Sequence, residues 1–309
     1  MTELVRFRPG KKLSTGKLVA TLGTFDGIHR GHQALLHRVQ SVALNSKDLS
    51  TALISFYPHP AVVLGRVTEI PQLTDLRQRL KILTEIGIDF LIVTHFTPEF
   101  SQHSARDFIA DFLVSELDVE HLVIGPDAGV GHRREGSADF ILEQLRSLGR
   151  EGAIVSFLEH AGERVSSRRI RAAVAGGDIK TASLMLDRNF SLTGRVKRGA
   201  QRGRVIGFRT ANLSVAGRQL PANGVYATRA ILDGVSYPAV TNVGVRPTFS
   251  GEVSEVETHL LDYHGDDFYS SLLEVSFVDR LRPEKRFPDL DSLKAAIQCD
   301  VEKARVILG

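Results

Sequence analysis

The 309-residue chain predicts two lobes: a parallel β-sheet flanked by helices over residues 1–185, and an antiparallel six-stranded β-barrel with a closing helix over residues 186–309. Three observations carry this prediction. Short apolar runs alternate with amphipathic stretches of helical period as far as about residue 186. After Arg188 the helical periods give way to six strand-like runs separated by glycine turns, a spacing that favours a closed barrel. Between the first apolar run and the first amphipathic stretch lies Gly23-Thr24-Phe25-Asp26-Gly27-Ile28-His29-Arg30-Gly31-His32. A strand, a glycine-bearing turn and a helix start are the parts of a nucleotide site in an α/β sheet.

In the first lobe, strands are expected at 18–22, 51–56, 88–94, 119–124 and 153–158, and helices near 31–44, 75–86, 104–117 and 137–148. Leu35, Leu36, Val39 and Val42 give the first helix an apolar face, and Leu76, Leu80 and Leu83 mark the second. Ser104 and Asp107 form a capping pair ahead of Phe108, Ile109 and Phe112. Strands alternating with helices of this length build βαβ units, whose ligands sit at the carboxyl ends of the strands.

In the second lobe the expected strands are 191–197, 204–215, 223–231, 235–243, 254–262 and 271–281. Turns fall at Gly199, Gly203, Gly217, Asn223-Gly224 and Asp233-Gly234. Leu290, Leu293, Ile297, Val301, Ala304 and Leu308 share one face, so a final helix should cover the barrel.

Composition narrows the functional classes. The single cysteine, Cys299, forbids an intrachain disulfide and fits a reducing compartment. No apolar run reaches the ~18 residues of a membrane span, and no secretory apolar segment is present, so the expectation is a cytoplasmic protein without a membrane partner. A net charge of +3 suits anionic small-molecule substrates and is too mild to argue for nucleic acid. The oligomeric state is left open by the sequence.

Within the decapeptide, Gly27 and Gly31 let the backbone approach a phosphate, with Gly23, Phe25 and Asp26 shaping the same turn. His29 and His32, three residues apart, fall on one side of the first helical turn, where each imidazole can donate to a phosphate oxygen. The His-x-x-His spacing also suits a metal, but Asp26 is the one further ligand candidate nearby and no His-Glu-x-x-His pattern exists. Pro58 and Pro60 stiffen the loop after the second strand, and Asp127 follows the strand ending at Ile124; both lie at the carboxyl edge of the sheet. Ser166 and Ser167 at a helix start, with Arg168 and Arg171 following, make an anion cradle. No Gly-x-x-x-x-Gly-Lys-Ser/Thr loop occurs anywhere in the chain.

These segments resemble a known family. The decapeptide is similar to the His-x-Gly-His signature of the nucleotidyltransferase superfamily, in the form used by the prokaryotic bifunctional riboflavin kinase/FAD synthetases. The resemblance runs in matching order from about residue 18 to residue 308. It implies a Rossmann-like FMN adenylyltransferase domain at 1–185 and a riboflavin kinase barrel at 186–309. In the first, His29, His32 and Arg171 would act in catalysis. Gly23, Phe25, Asp26, Gly27, Gly31, Asp127, Ser166, Ser167 and Arg168 would bind the nucleotide, and the Pro58–Pro60 loop would hold flavin.

In the second, the stretch from Gly194 to Leu213 resembles the riboflavin kinase motif. Gly203 and Gly207 would lie along ATP, and Thr210 and Asn212 would ligate Mg²⁺ through hard oxygens. Glu257 would accept the proton of the riboflavin 5′-hydroxyl. Arg282, Glu284 and Phe287 resemble the family's flavin-side loop. ATP, Mg²⁺ and the flavins riboflavin, FMN and FAD are the implied cofactors and substrates. The chain departs from the family pattern at Ala128-Gly129-Val130, where an aromatic–Arg–aromatic triplet is usual. It departs again at Arg168, in place of threonine, and at Arg209, in place of proline. Three other readings stay open at this point: a single active lobe, a nucleotidyltransferase of another substrate, and a non-catalytic flavin-binding protein.

Overall fold

The computed structural model describes every residue except 45, 47, 198–207, 249–250 and 267. By packing, the chain forms two compact units: Met1–Ile70 with Leu76–Val165, and Pro71–Asp75 with Ser166–Gly309.

The first unit begins with β1 (Glu3–Phe7), β2 (Lys17–Leu22), α1 (Arg30–Ala43), β3 (Leu49–Tyr57) and the short α2 (Pro60–Val63). It continues with α3 (Leu76–Ile86), β4 (Phe90–His95) and α4 (Ala105–Asp107), which runs on as a π-helix over Phe108–Glu116. Then come β5 (Val119–Ile124), the hairpin β6 (Gly129–Val130) and β7 (Gly136–Ser137), α5 (Ala138–Ser147), β8 (Glu151–Ile154) and the hairpin β9 (Glu159–His160) and β10 (Glu163–Arg164). Six strands form one sheet in the order β1-β4-β3-β2-β5-β8, and every pairing is parallel. Successive strand residues face opposite sides, which splits the core in two. Leu18, Ala20, Ala52, Ile54 and Ile92 meet the π-helix and α5, where Phe108, Phe112, Ile141 and Leu145 are buried. Val19, Leu53, Leu91 and Val123 meet Leu36 and Val39 of α1 and Leu83 of α3.

The second unit contains α6 (Ser167–Gly176), α7 (Ile179–Leu186), β11 (Ser191–Lys197), β12 (Ala211–Leu213), β13 (Gly224–Leu232), β14 (Val235–Thr248), β15 (Gly251–Leu260), β16 (Leu272–Pro283) and α8 (Leu290–Leu308). Its six strands close into an antiparallel barrel in the order β11-β12-β15-β14-β13-β16. Inside the barrel, Thr228, Thr241 and Thr258 are fully buried, with hydroxyl oxygens 2.8 and 3.0 Å apart in sequence. Thr228 donates to the Ala239 carbonyl, and one hydroxyl has one proton, so the chain runs from Thr258 to Thr241 to Thr228. Val301, Ala304 and Leu308 of α8 cover Val225, Ala227 and Val240 on the outer wall. Leu290, expected on that face, is exposed instead, because the buried stripe starts further along the helix.

Several expectations are corrected. The fifth strand of the first lobe ends at Ile154, not residue 158, and the chain then turns into the β9–β10 hairpin. The sheet has an edge strand, Glu3–Phe7, that the apolar pattern did not reveal. Of the expected strand 204–215, residues 211–213 are a strand, 208–210 are not, and 201–207 lie outside the described residues. Apart from these corrections, packing groups residues 166–185 with the barrel, so that division of the chain runs at Val165/Ser166. The reason is that α7 buries Ile179, Ala182, Met185 and Leu186 and lies against β16, where Lys180 pairs with Asp279 at 2.7 Å. Pro71–Asp75 join this unit because the buried Arg218 guanidinium binds Asp75 at 2.8 Å and the Leu73 carbonyl at 3.2 Å. Among the described residues no helix is long and apolar enough to cross a membrane.

One ion pair anchors α8. Asp300, 2% exposed, receives Arg282 through Nε at 3.0 Å and Nη2 at 2.8 Å. Removing one partner of a buried pair leaves the other charge uncompensated, at a cost of about 3–5 kcal/mol. Because the Arg282 side chain keeps 23% of its exposure, Asp300→Ala should lose stability at the lower end of that range. Denaturant unfolding of the barrel unit measures it. A loss under about 1 kcal/mol would show that apolar packing alone holds the helix.

Candidate active sites

The decapeptide lies at the carboxyl end of β2, as the parallel sheet requires. Its backbone is unusual: Gly23, Phe25, Gly27 and Ile28 have φ of 152°, 46°, 86° and 36°. A positive φ at the β-branched Ile28 is costly and survives only where the surroundings enforce it. Ile28 is fully buried and Phe25 nearly so, which pins the turn from beneath.

The turn delivers His29 as the N-cap of α1, where its Nδ1 accepts from the backbone N–H of His32 at 3.3 Å. The two imidazoles then stack, with centroids 3.6 Å apart, and Phe25 stacks on the other face of His32 at 4.3 Å. Gly31 permits this arrangement, since a Cβ there would lie 3.2 Å from the His29 ring. Burial holds the His32 imidazole well below its usual pKa, and the nearby charges of His29, Arg79 and Arg164 push it the same way. Its Nδ1 is buried without a hydrogen-bond partner among the described residues.

Arg79 of α3 braces the turn, donating to the Thr24 carbonyl at 3.2 Å and lying 3.7 Å from the Asp26 carboxylate. The sequence reading missed Arg79, although a signal was there: it stands on the same face of α3 as Leu80 and Leu83, which pack into the core, whereas Leu76, expected there, is exposed. It missed Arg164 as well. Arg164 binds Asp127 at 2.8 Å and lies 3.5 Å over the Phe157 ring, so the expected nucleotide residue Asp127 is ion-paired. Pro58 lies in the loop after β3, and Pro60 opens α2 behind the His59 cap.

Ser166 caps α6, accepting from the Arg169 N–H at 3.3 Å; Ser167, Arg168 and Arg171 follow in the first turns of that helix. Arg168 is exposed, whereas Arg171 Nε donates to the Pro71 carbonyl at 2.9 Å. All four belong to the second packing unit.

In the barrel, Gly203 and Gly207 lie outside the described residues. Thr210 precedes β12, and this turn is tied down by His259, whose Nδ1 lies 2.7 Å from the Arg209 carbonyl. Strand pairing sets Asn212 of β12 directly opposite Glu257 of β15. On either side of Glu257, Val256 and Thr258 are buried in the barrel, so Glu257 points outward with Asn212. Of the flavin-loop residues, Arg282 is engaged by Asp300 and donates to the Pro283 carbonyl at 3.1 Å. Glu284 is exposed, and Phe287 lies 5.5 Å from the Arg282 guanidinium. The Thr210 hydroxyl and the Asn212 side-chain carbonyl are hard oxygen donors, the type that suits Mg²⁺. No cluster of three or more His, Cys, Asp or Glu suited to a metal occurs among the described residues.

Comparison with known proteins divides the chain into two matched segments. A family model described as FAD synthetase matches residues 11–169, and one described as riboflavin kinase matches residues 186–308. A Pseudomonas fluorescens protein named bifunctional riboflavin kinase/FMN adenylyltransferase is 38% identical, over 94% of this chain and 92% of its own length. An Escherichia coli protein of the same name is 37% identical, over 94% and 93%. A solved Streptococcus pneumoniae structure, described as a macrolide-efflux protein, superposes with a TM-score of 0.88 at 27% identity and covers 98% of both chains. With both halves matched in order along nearly its whole length, the chain belongs to the bifunctional riboflavin kinase/FMN adenylyltransferase family.

Proposed function

We propose that the chain phosphorylates riboflavin to FMN in its barrel unit and adenylylates FMN to FAD through its α/β unit, using one ATP at each step. The observation that carries the reading is the His29–His32 stack, set on a glycine turn at the carboxyl edge of a parallel sheet. In adenylylation, an FMN phosphate oxygen attacks the α-phosphorus of ATP, the bond to the bridging oxygen breaks, and pyrophosphate leaves. Such chemistry depends on positioning and on neutralising charge, so the two histidines serve as donors to phosphate oxygen rather than as nucleophiles. Ser167 and Arg171 are read as further phosphate contacts by their resemblance to the family motif.

In the kinase step, the riboflavin 5′-oxygen attacks the γ-phosphorus of ATP. Its proton passes to the Glu257 carboxylate, and ADP leaves. Thr210 and Asn212 would hold Mg²⁺, which supplies charge neutralisation at the phosphates. Incubating the full chain with riboflavin, ATP and Mg²⁺ and separating the flavins should yield both FMN and FAD. Formation of neither would overturn the reading.

His32→Ala should lower FMN adenylylation by about 10²–10³, the usual loss for one transition-state donor, with riboflavin phosphorylation unchanged. A variant within threefold of wild type would make the imidazole purely structural. Glu257→Gln should do the reverse, abolishing riboflavin phosphorylation and sparing adenylylation.

The depressed pKa of His32 also sets a pH dependence. Native His32 stays neutral where the unfolded chain, with an ordinary pKa of 6.5, takes up a proton. Its contribution to stability is therefore intact above pH 6.5 and declines as pH falls towards the folded value, by at most about 1.4 kcal/mol per pH unit. Denaturant unfolding at pH 7 and pH 5.5 should show a steeper acid loss for wild type than for His32→Gln.

A further inference from the structure

One outward residue of the barrel wall stands close to the kinase groups and has no part in the proposed mechanism. His259 lies two residues after Glu257 on β15, between Thr258 and Leu260, which are buried. Alternation therefore turns it to the same outer face as Glu257. Antiparallel pairing sets Ala211 opposite Thr258 and Asn212 opposite Glu257. The same register carried one step back along the chain brings Thr210 beside His259.

The ring reaches the turn ahead of Thr210, where its Nδ1 lies 2.7 Å from the Arg209 carbonyl oxygen. A carbonyl only accepts, so Nδ1 carries the proton and donates. The preceding residue is held by a different contact. Phe208 packs against the apolar cluster of Val225, Ala227, Val240 and Leu261 under α8, and its ring meets the His259 ring edge-on at 5.4 Å. Side-chain packing thus fixes position 208, and strand pairing fixes position 211. Between them, the His259 bond ties down the Arg209 carbonyl. Arginine leaves φ free where a proline would lock it, so this bond supplies a restraint that the covalent chain does not.

We infer that His259 is a positioning residue of the kinase step: its Nδ1–H holds the Arg209 carbonyl and so presets Thr210 and Asn212, the residues proposed to hold Mg²⁺. A turn ordered before the metal arrives spares the entropy of ordering it on binding. His259 acts through Thr210 and Asn212, not on the reacting atoms.

Three variants separate the hydrogen bond from the ring. In His259→Asn the side-chain amide nitrogen takes the place of Nδ1 and keeps the donor. His259→Phe keeps a ring against Phe208 and loses the donor, and His259→Ala loses both. Riboflavin phosphorylation by the full chain, counted as FMN plus FAD formed, is measured against Mg²⁺ concentration at fixed ATP. Half-saturating Mg²⁺ should rise about three- to tenfold in His259→Ala and His259→Phe, the usual worth of one hydrogen bond, and return towards wild type in His259→Asn. At saturating Mg²⁺ kcat should recover, with KM for riboflavin unchanged, the signature of lost binding rather than lost chemistry. Without metal or nucleotide, hydrogen exchange over residues 208–213 should quicken in His259→Ala and His259→Phe and not in His259→Asn. Adenylylation of FMN by the same preparations serves as the reference activity, and thermal unfolding reports a barrel that has failed to fold.

A His259→Phe variant with the Mg²⁺ requirement of wild type would overturn the positioning role. So would a His259→Asn variant as impaired as His259→Phe. Asn212→Ala separates this failure from that of the underlying reading. If Asn212→Ala raises the Mg²⁺ requirement and His259→Phe does not, the role of His259 alone is wrong. If Asn212→Ala leaves the requirement unchanged, the metal assignment falls, and the positioning role falls with it.

Discussion

In a closed barrel each side chain points either into a packed interior or onto the outer wall, and strand pairing leaves no third choice. The hydroxyl chain Thr258–Thr241–Thr228 occupies the interior at the level where Asn212, Glu257 and Asn242 occupy the wall. These two sets are one register seen from its two faces. A slip of one residue along β15 would bury Glu257 without a partner and expose Thr258, so the pairing that satisfies the core also aims the carboxylate. The buried hydroxyls are satisfied along a fixed direction ending at the Ala239 carbonyl, which favours that register over its neighbours.

The α/β unit meets the same demand differently. Parallel strands end together at one edge, and the turn after β2 must bring polar groups there without burying unpaired ones. It does so with a backbone held at positive φ at Phe25 and Ile28, locked by the burial of both side chains. The local strain is offset by packing, and it yields a three-ring stack in which His32 is enclosed between Phe25 and His29. Burial of His32 in this stack, with His29 close beside it, disfavours its charged form and lowers its pKa. A neutral His32 still donates a hydrogen bond, so the site is ready for a phosphate without storing a buried charge.

Much of this was readable along the chain. The lobes, the order of most strands and helices and the turn with His29 and His32 follow from periodicity and from residue types that act locally. The cap at Ser104 is one such case: its oxygen accepts from the Asp107 N–H at 3.1 Å, as the spacing predicts. Other features were hidden because their partners are far away in sequence. The edge strand Glu3–Phe7 exists only through pairing with Phe90–Thr94. Arg282 meets Asp300, 18 residues on, in an ion pair that no local pattern announces. Asp127 meets Arg164, and Arg79 meets the turn at Thr24 and Asp26, through folding alone.

The sequence by itself determined which residue types could do chemistry and which short segments would be strand, helix or turn, because propensity, capping and hydrophobic period act over a few residues. Only the tertiary structure decided which of those groups meet. Register set Asn212 and Asn242 on either side of Glu257, and a missing side chain at Gly244 let Glu284 approach the strand. Burial, a property of the whole fold, holds the pKa of His32 well below its usual value. These outcomes depend on contacts between distant parts of the chain, and such contacts leave no local pattern to read.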